Sequence, residues 1–202
     1  VSNLNVHDTT HAMGGLFGIS SGTIANVTVS GIIDGRGGPT PYAGGIVGQN
    51  NGIVRDSHSS ATVYGYYVGS LSGGSATGTA TIKRSTASGN VYALDGSPYA
   101  GGLAGTAYSV IDSSASGDVI SSVANSYVGG LIGYMTGDIS GSSASGNVTA
   151  SGNNVRAGGL IGFSTGGISD SIATGAVNAG TKAVAGGLVG QASGAMTNVR
   201  AS

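Results

Sequence analysis

The stretch Ala157-Gly158-Gly159-Leu160-Ile161-Gly162, followed by Gly166-Gly167-Ile168 and then Asp170-Ser171-Ile172-Ala173-Thr174-Gly175-Ala176-Val177, decides how this chain is read. Its first part returns as Gly14-Gly15-Leu16-Phe17-Gly18, Gly44-Gly45-Ile46-Val47-Gly48, Gly101-Gly102-Leu103-Ala104-Gly105, Gly129-Gly130-Leu131-Ile132-Gly133 and Gly186-Gly187-Leu188-Val189-Gly190. A degraded copy stands at Gly69-Ser70-Leu71-Ser72-Gly73. The second part opens on an aliphatic at 24, 54, 82, 110, 139 and 168, and on Met196, at spacings of 30, 28, 28, 29, 29 and 28 residues. Self-similarity at such a period marks a repeat architecture.

Within each unit small or apolar residues alternate, as in Ser142, Ala144, Gly146 and Val148. Strict alternation is a strand signal, because successive side chains point to opposite faces. An α-solenoid fails on propensity, since each interior Gly costs a helix ~1 kcal/mol. Small inward residues bring the opposite wall close, so the coil is expected to be flat. The reading is an all-β, right-handed parallel β-helix (a β-solenoid) of about seven coils, with ~29 residues per coil. Each coil is expected to hold one strand through the Gly-Gly-Leu segment and one through the Ser-x-Ala-x-Gly-x-Val segment. A variable loop at 34–43, 64–68, 92–100, 120–128, 149–157 and 178–185 closes the turn and takes Pro39, Pro41 and Pro98. The third copy carries an insertion from Gly73 to Thr81, so its corner is expected to bulge. Counting back one period places Leu4 at the Val148 position, so that Val1 and Ser202 share one phase of the cycle. Residues 1–202 therefore read as a single uncapped array, either cut from a longer protein or a subunit that stacks end to end.

Composition narrows the function. Charged residues are 7% of the chain, against ~25% in ordinary globular proteins. The formal net charge is −1, which leaves no electrostatic footprint for nucleic acid or anionic lipid. No apolar run approaches the ~18 residues of a membrane helix, so no membrane insertion is expected. With no Cys there is no disulfide framework, which still permits secretion. A chain hydrated through hydroxyls and amides suits an extracellular surface repeat.

These residues resemble the GLUG motif of large bacterial secreted and surface proteins, including filamentous-haemagglutinin-type adhesins and the repeat regions of some immunoglobulin A proteases. The resemblance covers nearly the whole chain. It implies an extracellular or cell-surface location and a structural, adhesive role, and it supplies no catalytic residues.

Candidate chemistry is sparse, and no enzyme activity, cofactor or metal is expected. His7, Asp8 and His11 form the one His cluster, in a loop where no helix would align an i, i+4 pair, and read as exposed loop residues. An outward column runs Asn26, Asp56, Arg84, Asp112, Gly141, Asp170; Arg84 would hold its acid neighbours ionised, giving an ion-pair ladder rather than a general acid. Two residues before successive glycine pairs stand Tyr42, Tyr67, Tyr99, Tyr127 and then Arg156. Facing out, these rings either form a recognition stripe for sugars, a ligand class that suits aromatic faces, or a ladder that packs on itself. Outward hydroxyls pair as Thr28/Ser30, Thr86/Ser88, Ser114/Ser116 and Ser143/Ser145, interrupted by His58 and Ile172; they read as a solvated wall or an ice-ordering array. The sequons at Asn26 and Asn147 both fall in expected strands and read as accidental. The expected function is a rigid spacer that binds a glycan or a host or neighbouring cell surface, with end-to-end filament assembly and ice binding as alternatives.

Overall fold

The computed structural model describes residues 1–8, 11–36, 42–76, 78–94, 96 and 98–202; Pro39 and Pro41 lie outside the described residues. Among the described residues every regular element is a strand, and strands pair in parallel from one coil to the next. They form five seven-stranded sheets, stacked as a solenoid of about seven coils.

One coil shows the plan: Val148–Ala150 in sheet 1, Arg156–Gly158 in sheet 2, Ile161–Ser164 in sheet 3, Ile168–Ser169 in sheet 4 and Ile172–Ala173 in sheet 5. The expected two strands per coil are thus divided among five shorter ones. Two kinds of corner divide them. Between sheets 2 and 3 the glycine pair turns so tightly that a Cβ on Gly158 would overlap the Ile161 carbonyl oxygen. Between sheets 4 and 5 stands the column Asn26, Asp56, Arg84, Asp112, Gly141, Asp170 and Asn198, each with φ between 46° and 59°. This left-handed conformation is tolerated by Gly, Asn and Asp, whose small or short polar side chains pay little for it. The column read as an outward acid row is therefore first a row of corner residues.

Register runs true through every coil. Val6 pairs with Ile33, and Val63, Val91, Val119, Val148 and Val177 continue that line. Val6, not Leu4, thus holds the Val148 position; Leu4 pairs with Gly31, and left-handed Asn3 adds a residue to the first coil. The loops predicted between sheets 1 and 2 are shorter than expected, since Tyr64, Gly65, Tyr92, Ala93, Tyr99 and Ala100 belong to strands.

The core is flat, as the small residues predict. Ile46, Leu71, Leu103, Leu131 and Leu160 stack fully buried, and each passes its backbone N–H to the carbonyl of the next. Across from the glycine pair stands the alanine column of sheet 5. A Cβ on Gly130 would lie 3.1 Å from the Ala144 methyl, and one on Gly159 3.0 Å from that of Ala173. Valines and alanines between sheets 1 and 2 fill a second apolar compartment, apart from the Leu and Ile of the first. At Ser70, which replaces the usual glycine, the buried hydroxyl donates to the Ala61 carbonyl at 3.0 Å.

Candidate functional site: an aromatic face two columns wide

The tyrosines two residues before the glycine pairs fall in register on sheet 2. Tyr42 pairs with Tyr67, Tyr67 with Tyr99, Tyr99 with Tyr127, and Tyr127 with Arg156. Alternation explains their orientation. The next residue in each strand, such as Val68 or Val128, is fully buried, so the ring before it faces out. Tyr42 and Tyr67 stack at 4.9 Å; Tyr67 and Tyr99 tilt at 4.9 Å; Tyr99 and Tyr127 meet edge-on at 5.0 Å. The stripe therefore packs on itself, and its rings remain half-exposed.

A second column, not singled out in the sequence reading, runs beside it on sheet 3. Tyr134 and Phe163 are register partners, with rings 5.3 Å apart and only 5° from parallel. Tyr134 also stacks on Tyr99 at 5.2 Å, and Phe163 meets Tyr127 at 5.6 Å. The sequence signal was available: both follow the last glycine of the repeat, as Gly133-Tyr134 and Gly162-Phe163. Arg156 closes this face. Its guanidinium lies 5.0 Å from the Tyr127 ring centroid and 5.9 Å from that of Phe163, while Nε donates to Gln191 Oε1 at 2.5 Å.

One coil back from Tyr134, the second column holds Thr106 instead of a ring. A pocket of about 440 Å³ opens there, walled by Tyr42, Tyr67, Tyr99, Tyr108 and Tyr134. The third-coil insertion forms its outer wall through Ser75, Ala76 and Gly78. Thr106 ties that wall down: its Oγ1 accepts the Ser75 N–H at 2.8 Å and donates to the Ser75 carbonyl at 3.3 Å. A Cβ on Gly74 would overlap this hydroxyl and come within 3.2 Å of the Tyr42 ring. Burial pushes the phenols of Tyr42, Tyr67 and Tyr99 above their ordinary range, and Tyr67 also shares a hydrogen bond with Tyr66. All three walls are therefore neutral at physiological pH.

A smaller stack stands on sheet 1. Tyr64 and Tyr92 lie 4.8 Å apart, and Arg36 sits 4.6 Å over Tyr64 while gripping Asp34 through Nε (2.8 Å) and Nη2 (2.6 Å). That grip, chiefly its side-chain hydrogen bond, lowers the Asp34 pKa despite some desolvation. His7 Nδ1 lies 3.0 Å from the Asp34 carbonyl oxygen, and His11 Nδ1 lies 3.6 Å from Asp8 Oδ2. Among the described residues no three His, Cys, Asp or Glu come together as a metal site.

The acid column is partly joined. Arg84 holds Asp56 through Nε at 2.7 Å and Nη2 at 3.0 Å, and Arg55 adds a third contact at 2.8 Å. These bonds, Arg84's first, bring the Asp56 pKa down to about 2, so this carboxylate is an anion and no proton donor. The expected ladder does not run on: Asp170 instead accepts from Asn198 Nδ2 at 2.6 Å. On sheet 5 the hydroxyl column falls in register as Thr28, His58, Thr86, Ser114, Ser143, Ile172 and Arg200, with His58 Nδ1 2.7 Å from Thr86 Oγ1. Of the two sequons, Asn26 is a corner residue, and the Asn147 side chain accepts the Ala176 N–H at 3.1 Å.

No curated protein and no solved structure matches the chain. The family model of the GLUG motif matches residues 96–120 and again residues 124–149, the stretch that carries Tyr99, Tyr127 and Tyr134.

Proposed function

We propose that this solenoid is a rigid spacer of an extracellular or cell-surface bacterial protein, and that its aromatic face binds glycans on a host or neighbouring cell. The GLUG repeats and the solenoid fit a repeat module of surface, adhesin-like proteins. The observation that carries the binding role is the width of the face. Two adjoining columns of rings, Tyr42 to Tyr127 and Tyr134 to Phe163, stay half-exposed along several coils and end on Arg156. Aromatic faces present apolar area at little entropic cost and carry a polar hydroxyl beside it, which is what a sugar ring requires. A flat, uniform wall of coils supplies the stiffness that holds such a face away from a cell.

A glycan array with wild type beside the double variant Tyr67→Ala/Tyr99→Ala tests this reading. Binding by wild type that falls at least tenfold in the variant supports it, provided circular dichroism shows the variant folded. Equal binding by both proteins moves the contact off the stripe. No binding by wild type removes the adhesive role and leaves the spacer.

A further inference from the structure

We propose that the pocket lined by the third-coil insertion is a subsite for one neutral pyranose ring, seated against its tyrosine walls where Thr106 leaves the sheet 3 column without a ring. This rests on the glycan-binding reading of the aromatic face and names what one part of it holds. The register supplies the argument. On sheet 3 the outward position is Phe163 in one coil, Tyr134 in the preceding coil and Thr106 in the coil before that. The rings of Phe163 and Tyr134 are parallel at 5.3 Å. At Thr106 the column has no ring; Tyr99 stacks on Tyr134 at 5.2 Å from sheet 2, and the space beside Tyr134, Tyr99 and Tyr67 is left as the pocket.

The omission is built in from both sides. Gly74 keeps the adjacent coil free of a side chain where one would press on Thr106 and Tyr42. The insertion contributes Ser75, Ala76 and Gly78 to the lining and is pinned to Thr106 through the Ser75 backbone. The volume of about 440 Å³ lies within the ~300–1,000 Å³ of small-molecule sites. Its chemistry selects the ligand class. A pyranose offers an apolar C–H face to a ring and hydroxyls at its edge, which matches tyrosine walls carrying phenol groups. Among the described residues no charged side chain lines the pocket. Arg156 stands two coils beyond Tyr99, about 10 Å along the axis. An acidic sugar would therefore bury its carboxylate without a partner, which costs binding.

The test is saturation-transfer NMR titration with methyl β-glucopyranoside, methyl β-galactopyranoside and methyl α-mannopyranoside, and with glucuronate as the acidic probe. Thr106→Tyr supplies the missing ring from the chain itself, with the residue the next coil already carries there. The expected result is saturation of ring C–H protons of at least one neutral pyranoside, at least tenfold weaker binding by Thr106→Tyr, and unchanged binding by Thr106→Ser. Ala76→Trp fills the pocket from the insertion side and should weaken binding likewise if Thr106→Tyr fails to fold. Retention of binding by both filling variants while Tyr67→Ala/Tyr99→Ala loses it would overturn the pocket and leave the stripe standing. Glucuronate binding as tightly as the neutral sugars would overturn the choice of ligand class. Absence of any sugar binding by wild type, here and on the array, would remove pocket and stripe together.

Discussion

The backbone N–H of Ser113 donates to the hydroxyl of Ser142, one coil further on, at 3.2 Å. The same bond links Ser57 to Ser85, Ser85 to Ser113 and Ser142 to Ser171. Each of these hydroxyls in turn donates to the carbonyl two residues before it, as Ser142 does to Ser140 at 2.8 Å. The serines are buried, and each follows a left-handed corner residue, where the strand pairing is interrupted. A side chain from the next coil thus takes over the donor that the corner leaves over. Neighbouring coils are joined at this edge by serine, not by the sheets alone.

Ser142→Ala should accordingly cost about 1–3 kcal/mol, because it leaves the Ser113 N–H buried without an acceptor. Ser143→Ala, one residue on but facing outward, should change stability by less than ~0.5 kcal/mol. Guanidinium unfolding of the two variants decides the matter; equal midpoints would show that the ladder contributes nothing.

Gly146→Val should cost a few kcal/mol, for a reason different from the one the alternation suggested. The pattern placed Gly146 against a close opposite wall. In the structure a Cβ there would overlap the carbonyl oxygen of Gly117 in the preceding coil, and Gly175 stands in the same relation to Gly146. Gly22, with nothing within 4 Å of its Cβ, is the control, and Gly22→Ala should leave the melting temperature within a degree or two. A Gly146→Val protein that melts with wild type would refute this packing.

The period, the parallel pairing, the flat core and the tyrosine register were legible in the chain, because each depends on which residue recurs at which phase. Ile46, Leu71 and Leu103 stack although 25 and 32 residues separate them, because the connections between strands absorb the difference in length. The division into five sheets was not legible, because it depends on backbone conformation at single residues. The corner column mixes Asn, Asp, Gly and Arg, which as side chains look like an acid row; only their shared positive φ unites them. The serine ladder escaped for a related reason, since Ser142 and Ala144 look equivalent as small inward residues and differ only in one hydrogen bond. The second aromatic column was missed because two rings, Tyr134 and Phe163, are too few to stand out as a period. Its gap at Thr106 has meaning only once register places that residue beside them.

Asp170→Val tests the corner directly. Asp170 has φ of 48°, a conformation that a β-branched residue adopts only under strain. The substitution should destabilise by about 1–3 kcal/mol, whereas Asp170→Gly should lose far less, since glycine enters this region freely. Both variants remove the carboxylate that Asn198 contacts. The difference between them therefore isolates the backbone. Similar losses in thermal unfolding would point to the side-chain contact instead.

Asp56 predicts a pH dependence with a definite sign. Its carboxylate is held by Arg84 and Arg55, and its pKa is lowered from 3.8 to about 2. A group whose folded pKa lies below its unfolded one stabilises the fold above the unfolded pKa, and that contribution is lost as pH falls toward the folded pKa. The stability gap between wild type and Asp56→Asn should therefore be constant above about pH 5 and close between about pH 4 and pH 2. The ion pairs lie at the surface, with Asp56 half-buried between exposed arginines, so ~1 M salt, with a Debye length near 3 Å, should shrink the gap at neutral pH. Carboxyl-carbon NMR gives the microscopic check: in Arg84→Met the Asp56 titration should move up toward the ordinary carboxylate range. An Asp56 carbon that titrates alike in both proteins would show that Arg84 exerts no hold on it in solution.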